Sequence, residues 1–179
     1  MALTDFQKAF LLRIARESMI GHITTGQPLG DVVCDLPEAS GAFVTIKRRG
    51  ELRGCIGTLQ CRAGLAAEVA RCAQQSATQD PRFPPVSAAE IPELSLEISV
   101  LGPLEEVDPA AADAVVIARH GVVVELGQRR GLLLPQVATE WGWTKDQFLR
   151  QASRKAGLPD DAWRAGARVF RFEAEVFGE

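Results

Sequence analysis

The segment Leu94-Ser95-Leu96-Glu97-Ile98-Ser99-Val100 alternates apolar and polar residues without a break, and no other stretch limits the fold so tightly. Side chains of a strand point to opposite faces with period two, so this pattern requires a strand buried on one face only. The chain therefore has to build a sheet and supply helices to cover one side of it.

The rest of the sequence provides both. Residues 42–47 and 51–57 read as two strands joined by Arg49-Gly50, a β-hairpin. Residues 122–126 and 132–134 read as a second hairpin around 127–131, and residues 169–177 as a last strand with a register shift near Phe170. Thr4-x-x-Gln7 is a capping-box pattern opening a helix over 4–20, with Phe6, Phe10, Ile14 and Met19 on its inner face. Leu65, Val69, Ala73 and Ala77 mark one face of a helix over 63–78, which Asp80-Pro81 ends. Thr144-x-x-Gln147 opens a further helix, closed by Gly157 and Pro159. Asp108-Pro109 predicts a short helix, and residues 26–40 an irregular segment. Hairpins with segregated helices give an α+β fold with a mainly antiparallel sheet and flanking helices.

Composition narrows the function. At 179 residues the chain suits a single domain, or one domain with two lobes. The longest apolar runs fall short of the roughly 18 residues of a membrane span, and charges at Asp5, Lys8, Arg13, Arg16 and Glu17 break up any signal-peptide core. A cytoplasmic setting is expected, with Cys34, Cys55, Cys61 and Cys72 as free thiols. A net charge of −3 argues against broad nucleic-acid binding. No C-x-x-C pair, phosphate loop, dinucleotide fingerprint or zinc-peptidase motif occurs, and the chain has 2 histidines; nothing calls for a cofactor or a metal.

Chemistry concentrates in Leu52-Arg53-Gly54-Cys55-Ile56-Gly57-Thr58-Leu59. On a regular strand Arg53 and Cys55 share a face, while Leu52 and Ile56 turn toward the helices. A guanidinium beside a thiol favours the nucleophilic thiolate, and Gly54 and Gly57 leave bare backbone where a ligand can approach. The plainer alternative is that Cys55 packs as a small hydrophobe. Arg53 can bind a carboxylate or phosphate, or simply pair with Asp80 or Glu97. Asp80, Arg82 and Phe83 lie in a proline-stiffened loop that can brace a turn or wall a pocket around Cys55. His120 or Glu97 can act as proton carrier for Cys55; a hydrogen-bonded structural histidine is the alternative. Gln136 follows an apolar Leu132-Leu133-Leu134-Pro135 run, where a polar group can emerge beside an apolar wall.

Taken in order, the 52–59 motif, Gly41-Ala42-Phe43-Val44-Thr45, Asp80-Pro81-Arg82-Phe83-Pro84-Pro85, Leu96-Glu97-Ile98-Ser99-Val100-Leu101, Arg119-His120-Gly121, the 131–138 block and Lys155-Ala156-Gly157-Leu158 make the chain resemble the AMMECR domain family, called AmmeMemoRadiSam system protein A in bacteria and archaea. The resemblance runs from about residue 10 to about residue 177. It implies two lobes with the Cys55 hairpin along the cleft between them, and a cytoplasmic system shared with a Memo-like protein and a radical SAM protein. Two roles follow as expectations. One is a Cys55-dependent enzyme acting on a small anionic substrate bound by Arg53. The other is a non-catalytic adaptor or ligand-binding module using the hairpin groove.

Overall fold

A computed structural model describes residues 3–26, 35–111 and 113–179; Cys34 and most of the 26–40 segment lie outside them. The chain divides into two compact units, Met1–Leu101 with Glu175–Glu179, and Gly102–Ala174. The fold is α+β, with antiparallel strand pairing and flanking helices, as the pattern of hairpins and helices requires.

In the first unit, helix α1 (Asp5–Thr25) starts where the capping box places it: the Thr4 hydroxyl accepts from the Gln7 N–H, and the Gln7 side chain accepts from the Thr4 N–H. It runs past residue 20 and ends only at Gly26, whose φ of 70° a side chain would disfavour. Phe10, Leu11, Ile14, Ala15 and Met19 are buried, but Phe6, one turn earlier, is 73% exposed. Strands β1 (Gly41–Arg48) and β2 (Glu51–Thr58) form the expected hairpin. Arg49 and Gly50 both take positive φ (53° and 88°), as two-residue hairpin turns matching strand twist require. Helix α2 (Leu65–Thr78) buries Leu65, Val69, Ala73 and Ala77 as the periodicity predicts.

Strand β3 (Leu94–Leu101) pairs with β1, so β1 lies between β2 and β3. Ala42, Val44 and Ile46 of β1 and Leu94, Leu96, Ile98 and Val100 of β3 join α1 and α2 in one core. Truncating any of the larger members to alanine would cost about 2–5 kcal/mol. The alternate residues Phe43, Thr45, Lys47, Ser95 and Glu97 take the opposite sheet face.

The second unit holds β4 (Glu105–Val107), β5 (His120–Leu126), β6 (Arg129–Leu133), α3 (Pro135–Glu140) and α4 (Lys145–Lys155). Strand β7 (Arg168–Gly178) pairs here with β4 and β5; its last residues belong to the first unit. Phe148, Leu149 and Ala152 of α4 pack on Val122 and Val124. The short helix expected after Asp108 is absent from the described residues: the Asp108 carboxylate and carbonyl accept from Ala110 and Ala111 N–H and close a turn instead. Helix α3, for which the sequence predicts no element, carries Pro135 in its first turn.

Candidate functional site

Strand β2 is fixed from the α2 side at successive residues. Gly54 faces the last part of α2, and a Cβ there would lie 2.1 Å from the Ser76 carbonyl oxygen. The buried Ser76 hydroxyl accepts from the Ile56 N–H (2.8 Å) and donates to the Val44 carbonyl (2.8 Å), bridging two paired residues of β1 and β2. The Cys55 N–H donates to the Asp80 carboxylate at 2.9 Å. Asp80, just after α2, also accepts from the Arg82 N–H (3.0 Å) and the Arg82 guanidinium (2.7 Å). The Arg82 bonds, aided by the Cys55 N–H and opposed by burial, hold the Asp80 carboxyl well below the usual carboxylate range. Gly57 lies under Phe43, whose ring carbons would be 2.2 Å from an added Cβ. Both glycines are therefore filled by the protein's own atoms, which corrects the expectation that they leave room for a ligand.

Arg53 and Cys55 have different partners, and the regular alternation that predicts a shared face is interrupted between them. The β1–β2 register passes from Ile46↔Gly54 to Lys47↔Leu52, so Arg53 is an extra residue at a bulge, a device that re-aims side chains. Leu52, expected against the helices, is 42% exposed. The Arg53 guanidinium donates to Glu90 (2.8 Å from Nε, 3.3 Å from Nη2) and to the Pro84 and Pro85 carbonyls (2.9 and 3.4 Å). Its partner is thus Glu90, not Asp80 or Glu97. Glu90 sits in a 3₁₀ turn over Ala88–Glu93 and caps it by accepting from the Ser87 N–H. Arg53 first, then Ser87, pulls the Glu90 carboxyl down to about 2. The Ser87-x-x-Glu90 spacing is itself a capping box and would have flagged Glu90 in the sequence. Beside this pair a cavity of about 500 Å³ opens between Arg48, Arg53, Glu90, Phe83, Pro84 and Pro85. Phe83 walls this cavity, but Cys55 does not line it, so it is not the pocket around Cys55 that the sequence suggests.

Cys55 instead faces across the sheet, away from α1 and α2. The Thr45 hydroxyl donates to its sulfur at 3.3 Å. Thr45 is the register partner of both Cys55 and Glu97, and Glu97 pairs with Lys47 at 2.9 Å. A polar row of Cys55, Thr45, Lys47 and Glu97 thus crosses all three strands, and each member is half-buried. Cys61 and Cys72 differ: burial pushes both thiols up to about 11, and both pack with the core.

His120 and Gln136 belong to the second unit. His120 is buried, and its Nδ1 accepts from the Val116 N–H at 3.0 Å. Burial, reinforced by Arg171 and Arg119, lowers its pKa and favours the neutral ring. Gln136 is half-buried in the first turn of α3. Among the described residues no group of three or more His, Cys, Asp or Glu side chains could hold a metal ion, and no helix is long and apolar enough to cross a membrane.

The AMMECR1 family model matches residues 12–177. A protein of Thermofilum pendens is 41% identical over 96% of this chain and 89% of its own length. A protein of Methanothermobacter thermautotrophicus is 42% identical, covering 94% of this chain and 92% of its own. The crystal structure of the uncharacterized protein PH0010 from Pyrococcus horikoshii superimposes with a TM-score of 0.86 at 39% identity, over 95% of this chain and 90% of that one.

Proposed function

The chain belongs to the AMMECR1 family, and we propose that it works as a binding module, presenting the β2-β1-β3 sheet face that carries Cys55 to a protein partner. The observation that carries this reading is the commitment of the nearby charges. Arg53 is held by Glu90 and two carbonyls, Asp80 by Arg82 and the Cys55 backbone, and Lys47 by Glu97. An activated nucleophile needs a base within hydrogen-bond reach; the side-chain partner of the Cys55 sulfur is the Thr45 hydroxyl. A strand anchored from behind and polar in front suits recognition, because little conformational entropy is lost on binding.

The family resemblance supplies the partners to try: a Memo-like protein and a radical SAM protein, in a cytoplasmic system. Association of the purified proteins is measured by calorimetry. Lys47→Glu should weaken it by about tenfold or more, which corresponds to ~1.4 kcal/mol, and Cys55→Ala should change it by less than about twofold. Absence of association under every condition would remove the proposal.

The half-buried, Thr45-bonded thiol favours the enzyme as second reading. In that case Cys55→Ser abolishes turnover of a small substrate while association with partners is unaffected by Lys47→Glu.

A further inference from the structure

We propose that the cavity beside the 3₁₀ turn binds a flat apolar molecule bearing one carboxylate, an aromatic monocarboxylate in its simplest form. The cavity is a cleft open to solvent with a volume of about 500 Å³, within the ~300–1,000 Å³ range of small-molecule sites. Phe83, Pro84, Pro85 and Ala89 give it apolar walls. The Phe83 ring is steadied from elsewhere by the Arg82 guanidinium, 5.5 Å from its centroid.

The polar groups of the cavity are unequally satisfied. Glu90 Oε1 accepts from Arg53 Nε (2.8 Å) and Arg48 Nη1 (3.4 Å). Its Oε2 accepts from Arg53 Nη2 (3.3 Å), the Ser87 N–H (2.9 Å) and the Ser87 hydroxyl (3.0 Å). A carboxylate has about four lone-pair sites, so Glu90 has none to spare. The Pro84 and Pro85 carbonyls each accept one bond from Arg53.

Arg48 differs. Its Nε donates to Glu93 at 2.6 Å and its Nη1 to Glu90, while Nη2 donates to no group among the described residues. The Arg48 side chain is 41% exposed. The charged donors of Arg48 outweigh the neutral lone pairs left on Pro84, Pro85 and Ser87, which favours a ligand that brings a charged acceptor. Charge points the same way: the lining carries Arg48 and Arg53 against Glu90 alone, and Glu93 outside it is shared with Arg49. A cation would meet two guanidinium groups and only neutral oxygens left to accept it, and a bare inorganic anion leaves the Phe–Pro wall unused. None of Cys55, Thr45 and Glu97 lines this cavity, so the site stands independently of the binding-module reading.

The test is titration of the full chain with 2-naphthoate and, separately, with uncharged 2-naphthamide, followed by calorimetry or amide chemical shifts. The acid should bind saturably at one site, about tenfold or more tighter than the amide. Arg48→Gln should weaken the acid by about fivefold or more and leave the amide unchanged; Phe83→Ala should weaken both. Arg48 is surface-exposed, so its variant folds and decides the matter even where Phe83→Ala does not. Absence of saturable naphthoate binding, equal binding of acid and amide, or an unaltered affinity in Arg48→Gln would each overturn the site.

Discussion

Asp80→Asn keeps the volume of the side chain behind Cys55 but removes its charge and one of its acceptor oxygens. The carboxylate receives the Cys55 N–H at 2.9 Å, the Arg82 N–H at 3.0 Å and the Arg82 guanidinium. The Arg82 side chain is 54% exposed, so water replaces most of what its guanidinium loses, and that part is worth about 0–1 kcal/mol. The backbone donors have no such recourse. One amide oxygen can serve one of them, and the new NH₂ then confronts the other, at about 1–3 kcal/mol for an unsatisfied buried donor. The sum is about 1–4 kcal/mol, or a fall in Tm of about 2–16 °C for a chain of this size. The loss must also depend on pH. A carboxyl whose folded pKa is depressed stabilises above its ordinary value of 3.8, and that contribution fades as pH falls through and below it. Wild type and variant should therefore differ most near pH 7 and converge below about pH 4 in calorimetric scans. A gap under about 2 °C at neutral pH, or one that does not narrow in acid, would refute the assignment of Asp80 as the anchor of β2.

Gly54→Ala sets a methyl 2.1 Å from the Ser76 carbonyl, an obstacle of backbone that cannot rotate away; a loss of about 3 kcal/mol is expected in urea unfolding, and a neutral result would mean that α2 does not press on β2. Glu90→Gln leaves Arg53, whose side chain is 12% exposed, without its counter-charge, so thermal melts should show about 2–4 kcal/mol lost at pH 7. Because the Glu90 carboxyl drops from 4.5 to about 2 on folding, that deficit should shrink as pH falls across this interval. In a Cys34→Ser background, iodoacetamide at pH 7 should modify Cys55 before Cys61 and Cys72, whose thiols burial pushes up to about 11; earlier modification of Cys72 would contradict the burial order.

Where side-chain period and turn chemistry act locally, the sequence was sufficient. The 94–100 alternation, the Arg49-Gly50 turn and both Thr-x-x-Gln caps specify elements that the structure contains. Cys55, Asp80, Arg82 and Phe83 could be named as a group because one short motif and one stiff loop hold them. Their geometry was less accessible. A bulge at Arg53 depends on how two strands pair, so the two-residue spacing that should align Arg53 with Cys55 instead separates them. Gly54 and Gly57 looked open because a sequence does not reveal that Ser76 and Phe43 occupy the space above them. Glu90 was missed although its capping box was legible; only the tertiary fold brings it to Arg53, 37 residues earlier.

If a partner covers the Cys55 face of the sheet, Cys55 itself reports the coverage. Its alkylation rate is measured in the free protein and in mixtures saturated with the Memo-like or the radical SAM protein, with Cys34→Ser, Cys61→Ser and Cys72→Ala removing the other thiols. A binding module slows the reaction by about tenfold or more with one partner, a protection corresponding to ~1.4 kcal/mol, and Lys47→Glu abolishes that protection. An unchanged rate in a complex shown by calorimetry to have formed would place the partner elsewhere and contradict the account.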